Sequence, residues 1–338
     1  MNDRATLDTK LGRLAALLKQ QGVIATDDLA IERQFTAGQS NPTYLLRSGE
    51  RRLVLRKQPY GHLLPKAHDV VREHAIVDAL AGAGFRVPTP LFASSDRAII
   101  GTAFFVMAYV PGIVHSNAQL PDVSATERGA IFRATAETLA DLHGIDPAVL
   151  ARAGIQPRGS FIERQIGAWR NAYRAAMTEA DERIETVAQT LLDRRPQHEN
   201  LAIAHGDFRL ENLIFDGTSV AAVLDWELCT IGEPLCDLAY CCLWYHFPPE
   251  VLNGLAGLDL AKRGIPGERE FLDLYSARSG IDAHASQRYF LAFAFYRLAA
   301  ILQGVYRRAL DGNAASALGL ERGRIARLCL DKAEQLAM

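Results

Sequence analysis

Residues 205–227 contain three polar side chains whose types and spacing suit phosphoryl transfer. Asp207 and Asn212 lie five positions apart in the stretch His-Gly-Asp-Phe-Arg-Leu-Glu-Asn that begins at His205, and Asp225 follows thirteen positions later in Asp-Trp-Glu. Magnesium prefers oxygen ligands, and a positioned carboxylate can accept the proton of a hydroxyl nucleophile. The pattern therefore predicts a site for Mg²⁺ and a phosphoryl group.

Apolar runs around these residues predict the elements that position them. The runs lie at 201–204, 213–215 and 220–224, and Asp216-Gly217 separates the last two. Apolar runs joined by Asp-Gly are typical of a β-hairpin. A surface loop would not need these polar side chains next to buried strands, where an unpaired carboxylate is unfavourable. We therefore expect the polar loop to enter a hairpin whose far end carries Asp225.

The stretch before Pro111-Gly112 predicts five strands and one helix, preceded by an amphipathic helix near residues 6–20. The predicted strands lie at 31–35, 44–47, 52–56, 91–93 and 104–110, and the helix lies at 68–81. After this boundary the pattern is mainly helical, at 124–143, 159–195, 236–244, 287–310 and 321–336. A chain of 338 residues is long for one hydrophobic core and suggests two lobes, which we place at 1–110 and 111–338. We find no internal repeat and no low-complexity linker, which favours two lobes packed as one unit over two tethered domains.

Alternation along the third predicted strand determines which cation could serve a site. Lys57 shares a face with Leu53 and Leu55, whereas Arg56 points the other way. The two cations cannot serve the same site while the strand stays regular. Glu73 lies in the middle of the predicted helix, where a charged side chain is usually solvated.

The polar motif resembles the signature of the aminoglycoside phosphotransferase superfamily, also called the phosphotransferase enzyme family, of small-molecule kinases. That signature is HGDxxxxN followed by D-W/F-E/G, as at His205–Asn212 and Asp225–Glu227. The segments at 35–44, 54–57 and 164–169 look most like kinase domains related to, or fused with, acyl-CoA dehydrogenases. The resemblance runs from about residue 30 to the end. It implies an α+β, bilobal protein-kinase-like fold with a small five-stranded antiparallel N-lobe that contains one helix, and a larger, mainly helical C-lobe.

The resemblance also implies roles for the motif residues. Asp207 would accept or orient the acceptor hydroxyl, and Arg209 would neutralise charge on the transferring group. Mg²⁺ would be held by Asn212 and Asp225. Asp237 would tie the catalytic loop to the following helix, through His205 or a backbone N–H.

The first lobe would bind ATP. The turn at 36–43 would cover the phosphates, the backbone at 107–110 would bind adenine, and Glu73 would hold the strand cation over the phosphates. The family usually has Lys where this strand has Arg56, and Lys57 is the alternative partner for Glu73. The implied nucleotide-binding residues are Gly38, Gln39, Ser40, Asn41, Thr43, Arg56, Glu73, Met107 and Tyr109.

These residues favour an ATP-Mg²⁺-dependent kinase that phosphorylates a hydroxyl of a small molecule. The resemblance to the kinase domains related to acyl-CoA dehydrogenases implies a hydroxyacyl compound or its CoA ester as the acceptor. The helical lobe would contact this acceptor, and the candidate residues are Arg164, Trp169, Arg297 and Tyr306. One alternative acceptor is an aminoglycoside or another amino alcohol. A silent nucleotide-binding module, suggested by Arg56, and a metal-dependent hydrolase that uses Asp207, Asp225 and His205 as ligands are two further hypotheses.

Composition excludes some classes of partner. The apolar fraction is 49%, the charged fraction is 22% and the net charge is −2, so nothing attracts the chain generally to nucleic acid or to an anionic membrane. Five cysteines form no paired CxxC motif and are expected to be reduced and buried. The N-terminus lacks the features of a secretory signal, and no run is expected to reach membrane-spanning length. We therefore expect a cytoplasmic protein.

Overall fold

The computed structural model describes residues 3–35, 41–61, 69–312 and 317–338. The helices are α1 (Asp3–Asp8), α2 (Leu11–Gln20), α3 (Val70–Gly82), α4 (Arg97–Ile100), α5 (Ala125–His143), α6 (Phe161–Ala176), α7 (Arg183–Asp193), α8 (Pro234–Cys241), α9 (Leu260–Arg263), α10 (Glu268–Ser279), α11 (Gln287–Leu310) and α12 (Ala317–Ala337). The strands are β1 (Ala30–Phe35), β2 (Thr43–Ser48), β3 (Arg51–Lys57), β4 (Pro90–Ser94), β5 (Phe104–Ala108), β6 (Ala202–Ala204), β7 (Leu213–Asp216), β8 (Ser219–Val223) and β9 (Thr230–Gly232).

Two units interleave along the chain. The first contains Met1–Ile113, Ala148–Ile155 and Leu213–Cys229, and the remaining residues form the second. Asp225 therefore belongs to the first unit, whereas Asp207 belongs to the second. The predicted boundary between residues 110 and 111 stays a prediction.

A five-stranded sheet in the order β1-β2-β3-β5-β4 forms the centre of the first unit, and all neighbouring strands are antiparallel. The α+β class and this sheet were predicted and are confirmed. A tight turn joins β2 to β3, because Ser48 pairs with Arg51 and Gly49 adopts a φ of +56°. Glycine takes this left-handed conformation without the steric cost that a Cβ would add.

The sheet buries apolar residues on both faces. On one face, Tyr44 and Leu55 pack with α2 residues such as Leu14. On the other face, Val54 packs with Val70 of α3. The strict alternation within β2 and β3 explains this division, since successive side chains of a strand point to opposite faces. The predicted faces of β3 are therefore confirmed.

Lys57 is buried on the α2 side of the sheet. Its side chain has 0% exposure, and its ammonium lies 3.0 Å from Asp3 Oδ1, 2.9 Å from the carbonyl oxygen of Gln58 and 3.7 Å from the centre of the Tyr60 ring. The Tyr44 hydroxyl donates to the same Asp3 carboxylate. Burial lowers the pKa of Lys57, against the opposing effect of Asp3. These contacts fasten α1 to the sheet.

We expect Lys57→Met to destabilise the protein by about 1–3 kcal/mol, because it leaves the partly buried Asp3 carboxylate without its cation. Urea unfolding followed by circular dichroism would measure this change. Arg47→Met is the matched control on the neighbouring strand, since the Arg47 pair with Glu32 is exposed and should contribute less than about 1 kcal/mol. Equal stability losses in the two variants would contradict the assigned role of Lys57.

The hairpin of β7 and β8 joins the N-terminal stretch within the first unit. Phe215 exchanges two backbone hydrogen bonds with Ile113, at 2.9 and 2.8 Å. Gly112 makes this approach possible, because a Cβ at its position would lie 2.5 Å from Ile214 Cγ2 and 2.5 Å from the Phe215 carbonyl oxygen. The predicted hairpin is confirmed.

Helices dominate the second unit. Helix α5 begins at a capping box in which Ser124 and Glu127 satisfy each other's backbone N–H groups. The predicted helix at 236–244 differs from the observed one, because α8 ends at Cys241 and the chain continues as a 3-10 helix over Cys242–His246. Strands β6 and β9 pair antiparallel. This pair holds the start of the loop that carries Asp207.

Helix α11 is long and apolar enough to cross a membrane, although the sequence was expected to contain no such run. Of its apolar window, 72% is buried inside the protein. The large side chains of Phe293, Phe295 and Tyr296 lie in the core. The hydropathy of α11 is therefore that of a core helix of the second unit.

Candidate functional site

Asp207 is held by neighbours on its own loop. The side-chain nitrogen of Asn212 donates to the Asp207 carbonyl oxygen at 2.8 Å and to Asp207 Oδ2 at 3.0 Å. Arg209 Nε lies 3.3 Å from the same carboxylate oxygen, and the Arg209 side chain is 45% exposed. The carboxylate is therefore oriented from two sides, and a cation stands next to it.

Asp237 of α8 fastens the start of this loop. Its carboxylate accepts hydrogen bonds from the backbone N–H groups of His205, at 2.5 Å, and Gly206, at 2.9 Å. The predicted tie through a backbone N–H is thereby confirmed. Burial alone would raise the pKa of Asp237, but the nearby His143 and His205 lower it overall. Asp237 therefore stays ionised and serves as a fixed acceptor for the loop.

Arg56 links three carboxylates within the first unit. Its Nε donates to Glu73 Oε2 at 2.9 Å and its terminal nitrogen donates to Asp225 Oδ1 at 2.7 Å. Glu227 Oε2 lies 3.8 Å from the same terminal nitrogen. Arg56, not Lys57, is therefore the partner of Glu73. The planar guanidinium reaches two carboxylates at once, which a lysine ammonium could do only less well.

Burial and the neighbouring charges shift the pKa values of Arg56 and Glu73 in opposite directions. Burial alone would lower the pKa of Arg56, but the charges of Glu73 and Asp225 raise it. Burial raises the pKa of Glu73 to about 7, although Arg56 opposes this shift. Glu73 is only 3% exposed, so its charge depends strongly on Arg56.

This raised pKa predicts a pH-dependent stability. Between pH 4.5 and 7 the folded protein retains a proton on Glu73 that the unfolded chain has lost, so the free energy of unfolding falls as the pH rises. The loss should amount to at most about 3 kcal/mol. The Glu73→Gln variant has no carboxyl group that titrates at this position. The difference between its free energy of unfolding and that of the original protein should therefore shift in favour of the variant from pH 5 to pH 7.5. Urea unfolding at the two pH values tests this, and parallel pH dependences would contradict it.

Two contacts that the sequence did not predict fix the position of Asp225. The indole N–H of Trp226 donates to the Val223 carbonyl oxygen at 3.0 Å, and its ring packs edge-on against Phe85. Arg72 of α3 donates to the carbonyl oxygens of Glu227, at 3.2 Å, and Cys229, at 2.7 Å. Asp225 itself adopts a left-handed φ of +64°, a conformation that Asp tolerates better than most residues.

Part of the predicted phosphate-covering turn, Gly38, Gln39 and Ser40, lies outside the described residues. Asn41 is buried, and neither polar atom of its side chain has a hydrogen-bond partner among the residues that the structure describes. Buried amides are normally satisfied. Thr43 Oγ1 donates to the Asn41 carbonyl oxygen at 3.0 Å. A ligand that supplies partners to Asn41 would therefore fit this turn.

The predicted adenine-binding residues lie at the end of β5. Met107 is buried in the same apolar cluster as Val54, and Tyr109 packs against this cluster. The Tyr109 ring lies 6.0 Å from the Arg52 guanidinium. Their roles in nucleotide binding stay predictions.

The structure brings together two of the four predicted acceptor-binding residues. The Arg297 guanidinium lies 5.2 Å from the centre of the Trp169 ring. Arg164 bonds to the carbonyl oxygens at the start of its own helix, α6. The Tyr306 ring packs next to Gly323 of α12, where a Cβ would lie 2.8 Å from ring carbons. All four roles stay predictions.

Asn212 in the second unit and Asp225 in the first each carry an oxygen of the kind that magnesium binds. The Asn212 amide nitrogen is bonded to Asp207, so the amide oxygen remains for a cation, and Asp225 supplies a carboxylate that is 28% exposed. Hard cations prefer such oxygens. No group of three or more His, Cys, Asp and Glu residues is arranged to hold a metal within the described part of the chain. The hydrolase hypothesis would require such a cluster.

Known proteins resemble both the sequence and the fold. Acyl-CoA dehydrogenase family member 10 of Mus musculus is 43% identical over 296 residues, which cover 86% of this chain and 28% of that protein. Acyl-CoA dehydrogenase family member 11 of Homo sapiens is 40% identical over 287 residues, 84% of this chain and 37% of that protein. The chain therefore spans about a third of the length of these relatives.

Solved structures share the fold. The crystal structure of a protein described as an aminoglycoside phosphotransferase from Ralstonia eutropha JMP134 matches with a TM-score of 0.85 and 34% identity, over 96% of this chain and 97% of that one. The aminoglycoside phosphotransferase APH(4)-Ia, in a ternary complex with AMP-PNP and hygromycin B, matches with a TM-score of 0.63 and 17% identity, over 96% and 98%.

The model of the phosphotransferase enzyme family matches residues 32–274. This range includes the loop of Asp207, the hairpin that precedes Asp225 and the β3 strand of Arg56. The chain therefore belongs to the phosphotransferase enzyme family.

Proposed function

We propose that this protein transfers the γ-phosphoryl group of ATP, with Mg²⁺, to the hydroxyl of a hydroxyacyl compound or its CoA ester. The observation that carries the proposal is the orientation of Asp207 by Asn212 and Arg209, with hydrogen bonds of 2.8 and 3.0 Å from Asn212. A carboxylate held in this way can align an attacking hydroxyl and accept its proton.

Each remaining residue has a part in this reaction. Arg56 contacts the phosphates of ATP and is held for this purpose by Glu73, 2.9 Å away. Arg209 neutralises charge on the transferring group. Asn212 and Asp225 each supply an oxygen ligand to Mg²⁺, which when bound neutralises negative charge on the phosphates. The backbone at Met107 and Tyr109 binds adenine, and Asn41 and Thr43 contribute to phosphate binding.

Two kinds of likeness support the proposed substrates. APH(4)-Ia complexes contain AMP-PNP or ADP, which supports ATP as the phosphoryl donor. Relatives at 43% and 40% identity are named acyl-CoA dehydrogenase family members, which supports an acyl compound as the acceptor. Hygromycin B and streptomycin occur in complexes of other phosphotransferases, so an aminoglycoside is the alternative acceptor.

A panel of acceptors tests the proposal. ADP release would be measured with ATP and Mg²⁺ in the presence of 2-, 3- and 4-hydroxy acids, their CoA esters, hygromycin B and streptomycin. Mass spectrometry would identify the phosphorylated product, and Asp207→Ala would supply the background rate. We expect Asp207-dependent turnover on at least one hydroxyacyl compound.

Other outcomes would identify a different function. Turnover on the aminoglycosides alone would favour the amino-alcohol kinase. ATP binding without Asp207-dependent turnover on any acceptor would favour the silent nucleotide-binding module. The paired state of Arg56 argues against that module, because the cation that replaces the usual Lys still bonds to Glu73.

A further inference from the structure

A buried cation lies behind the loop of Asp207, within the second unit. Arg297 of α11 is only 6% exposed, and its guanidinium donates to the carbonyl oxygen of Gly206. Its Nε has no hydrogen-bond partner among the described residues. The charge of Arg297 also helps to lower the pKa of the buried Asp237 carboxyl, which binds the backbone of the same loop. A buried guanidinium with an unsatisfied N–H is unfavourable, so its place behind the loop requires an explanation.

Two aromatic rings lie next to this cation. The guanidinium lies 4.3 Å from the centre of the Tyr240 ring and 5.2 Å from that of Trp169. Contacts with ring faces stabilise a guanidinium that is removed from water. The two rings therefore hold Arg297 in the orientation that reaches Gly206, the residue before Asp207.

Tyr240 also acts electrostatically on Asp207. Removal of the phenol from water, together with the charge of Asp207, raises the pKa of Tyr240 to about 12. The phenol is therefore protonated at neutral pH and carries a hydrogen that it can donate to a carboxylate. Tyr240 lies one helical turn after Asp237 on α8, so the helix that binds the loop backbone also carries the phenol that acts on the Asp207 side chain.

We propose that Tyr240 and Arg297 are positioning residues for Asp207, with Tyr240 orienting the carboxylate and Arg297 holding the Gly206 carbonyl from behind. This inference rests on the proposed role of Asp207. It gives Arg297 a different task from the acceptor contact expected from the sequence. Trp169 supports Arg297 through its ring.

Tyr240→Phe and Arg297→Lys test the proposal. Phenylalanine retains the ring next to Arg297 but removes the hydroxyl that is proposed to donate to Asp207, and we expect kcat to fall by about 10-fold, as for loss of a bond to a charged group. Lysine retains the charge of Arg297 but not its planar fork, and kcat should fall by a similar factor. KM for ATP should change by less than about 2-fold in both variants, because the loss concerns activation of the acceptor hydroxyl by Asp207 and not the binding of ATP.

Tyr245→Phe is the matched control. Its hydroxyl donates to the Pro266 carbonyl oxygen at 3.0 Å, so the variant loses a buried phenol hydrogen bond away from Asp207. We expect a lower melting temperature and an unchanged kcat. A kcat for Tyr240→Phe and Arg297→Lys equal to that of Tyr245→Phe would overturn the proposal, as would equal losses of ATP affinity and of kcat.

Hydrogen exchange supplies a readout that needs no acceptor. Mass spectrometry would follow amide exchange of a peptide that covers residues 203–213. We expect exchange there to rise several-fold in Tyr240→Phe and Arg297→Lys and to stay unchanged in Tyr245→Phe. If no acceptor in the panel is turned over, the proposed function fails and this experiment still decides the positioning role. Unchanged loop exchange, or a rise throughout the second unit, would then overturn it.

Discussion

Replacing Asp207 with asparagine is expected to lower kcat by about 10³-fold and to leave the affinity for ATP nearly unchanged. Asparagine has the same shape and can still accept the hydrogen bond from Asn212, but it cannot take the proton of the acceptor hydroxyl. Loss of a positioned general base typically lowers rates by about 10²- to 10⁴-fold. Steady-state kinetics with the best acceptor, together with calorimetric titration of an ATP analogue, would measure both quantities.

Asp216→Asn serves as the control for this variant, since Asp216 is an exposed carboxylate in the hairpin turn. We expect its kinetics to match those of the original protein within about 2-fold, as for surface changes away from a site. An Asp207→Asn enzyme that retained more than a tenth of kcat would rule out Asp207 as the base. Loss of ATP binding in that variant would instead move its role to the nucleotide.

Removing the Arg56 cation should have the second-largest effect on catalysis. We expect Arg56→Met to lower kcat/KM for ATP by about 10²-fold or more, because a positioned cation on a phosphoryl group is worth several kcal/mol in a site shielded from water. Arg56→Lys should recover only part of this loss, since one ammonium replaces a fork that reaches both Glu73 and Asp225. Kinetics at varied ATP concentration would give kcat/KM for Arg56→Met, Arg56→Lys and the original protein.

Arg56→Met should lower the free energy of unfolding by less than the loss of a buried ion pair usually does. The pKa of Glu73 is already raised to about 7, so without Arg56 the carboxyl group takes up a proton instead of remaining charged. Arg52→Met, on the same strand but 56% exposed and paired with Glu32, is the control for a lost arginine. If Arg56→Met and Arg52→Met had equal kcat/KM values, Arg56 would have no part in phosphate binding.

Much of this arrangement could be predicted because it is encoded locally. Asp207 and Asn212 bond across five positions of one loop, and the Asp-Gly turn defines the hairpin that precedes Asp225. The period-two alternation of β3 was enough to separate Arg56 from Lys57. It could not select between them, because that choice depends on Glu73 and Asp3, which lie elsewhere in the chain.

The unpredicted residues act through contacts that leave little trace in a sequence. Arg72 bonds to backbone carbonyl oxygens, which every residue has, so no partner residue type indicates the contact. Arg297 was predicted as an acceptor contact, but its position within the apolar run of α11 indicates that its charged group must find buried partners. Tyr240 could have been found from its spacing of three from Asp237 on a predicted helix.

Helix α3 holds two parts of the first unit through the adjacent residues Arg72 and Glu73. Glu73 holds Arg56, while Arg72 holds the main chain directly after Asp225. A rotation or shift of α3 would therefore displace Arg56 and Asp225 together. If Arg56 binds phosphate and Asp225 binds metal as proposed, a molecule that moved α3 would change the affinities for nucleotide and for metal at the same time.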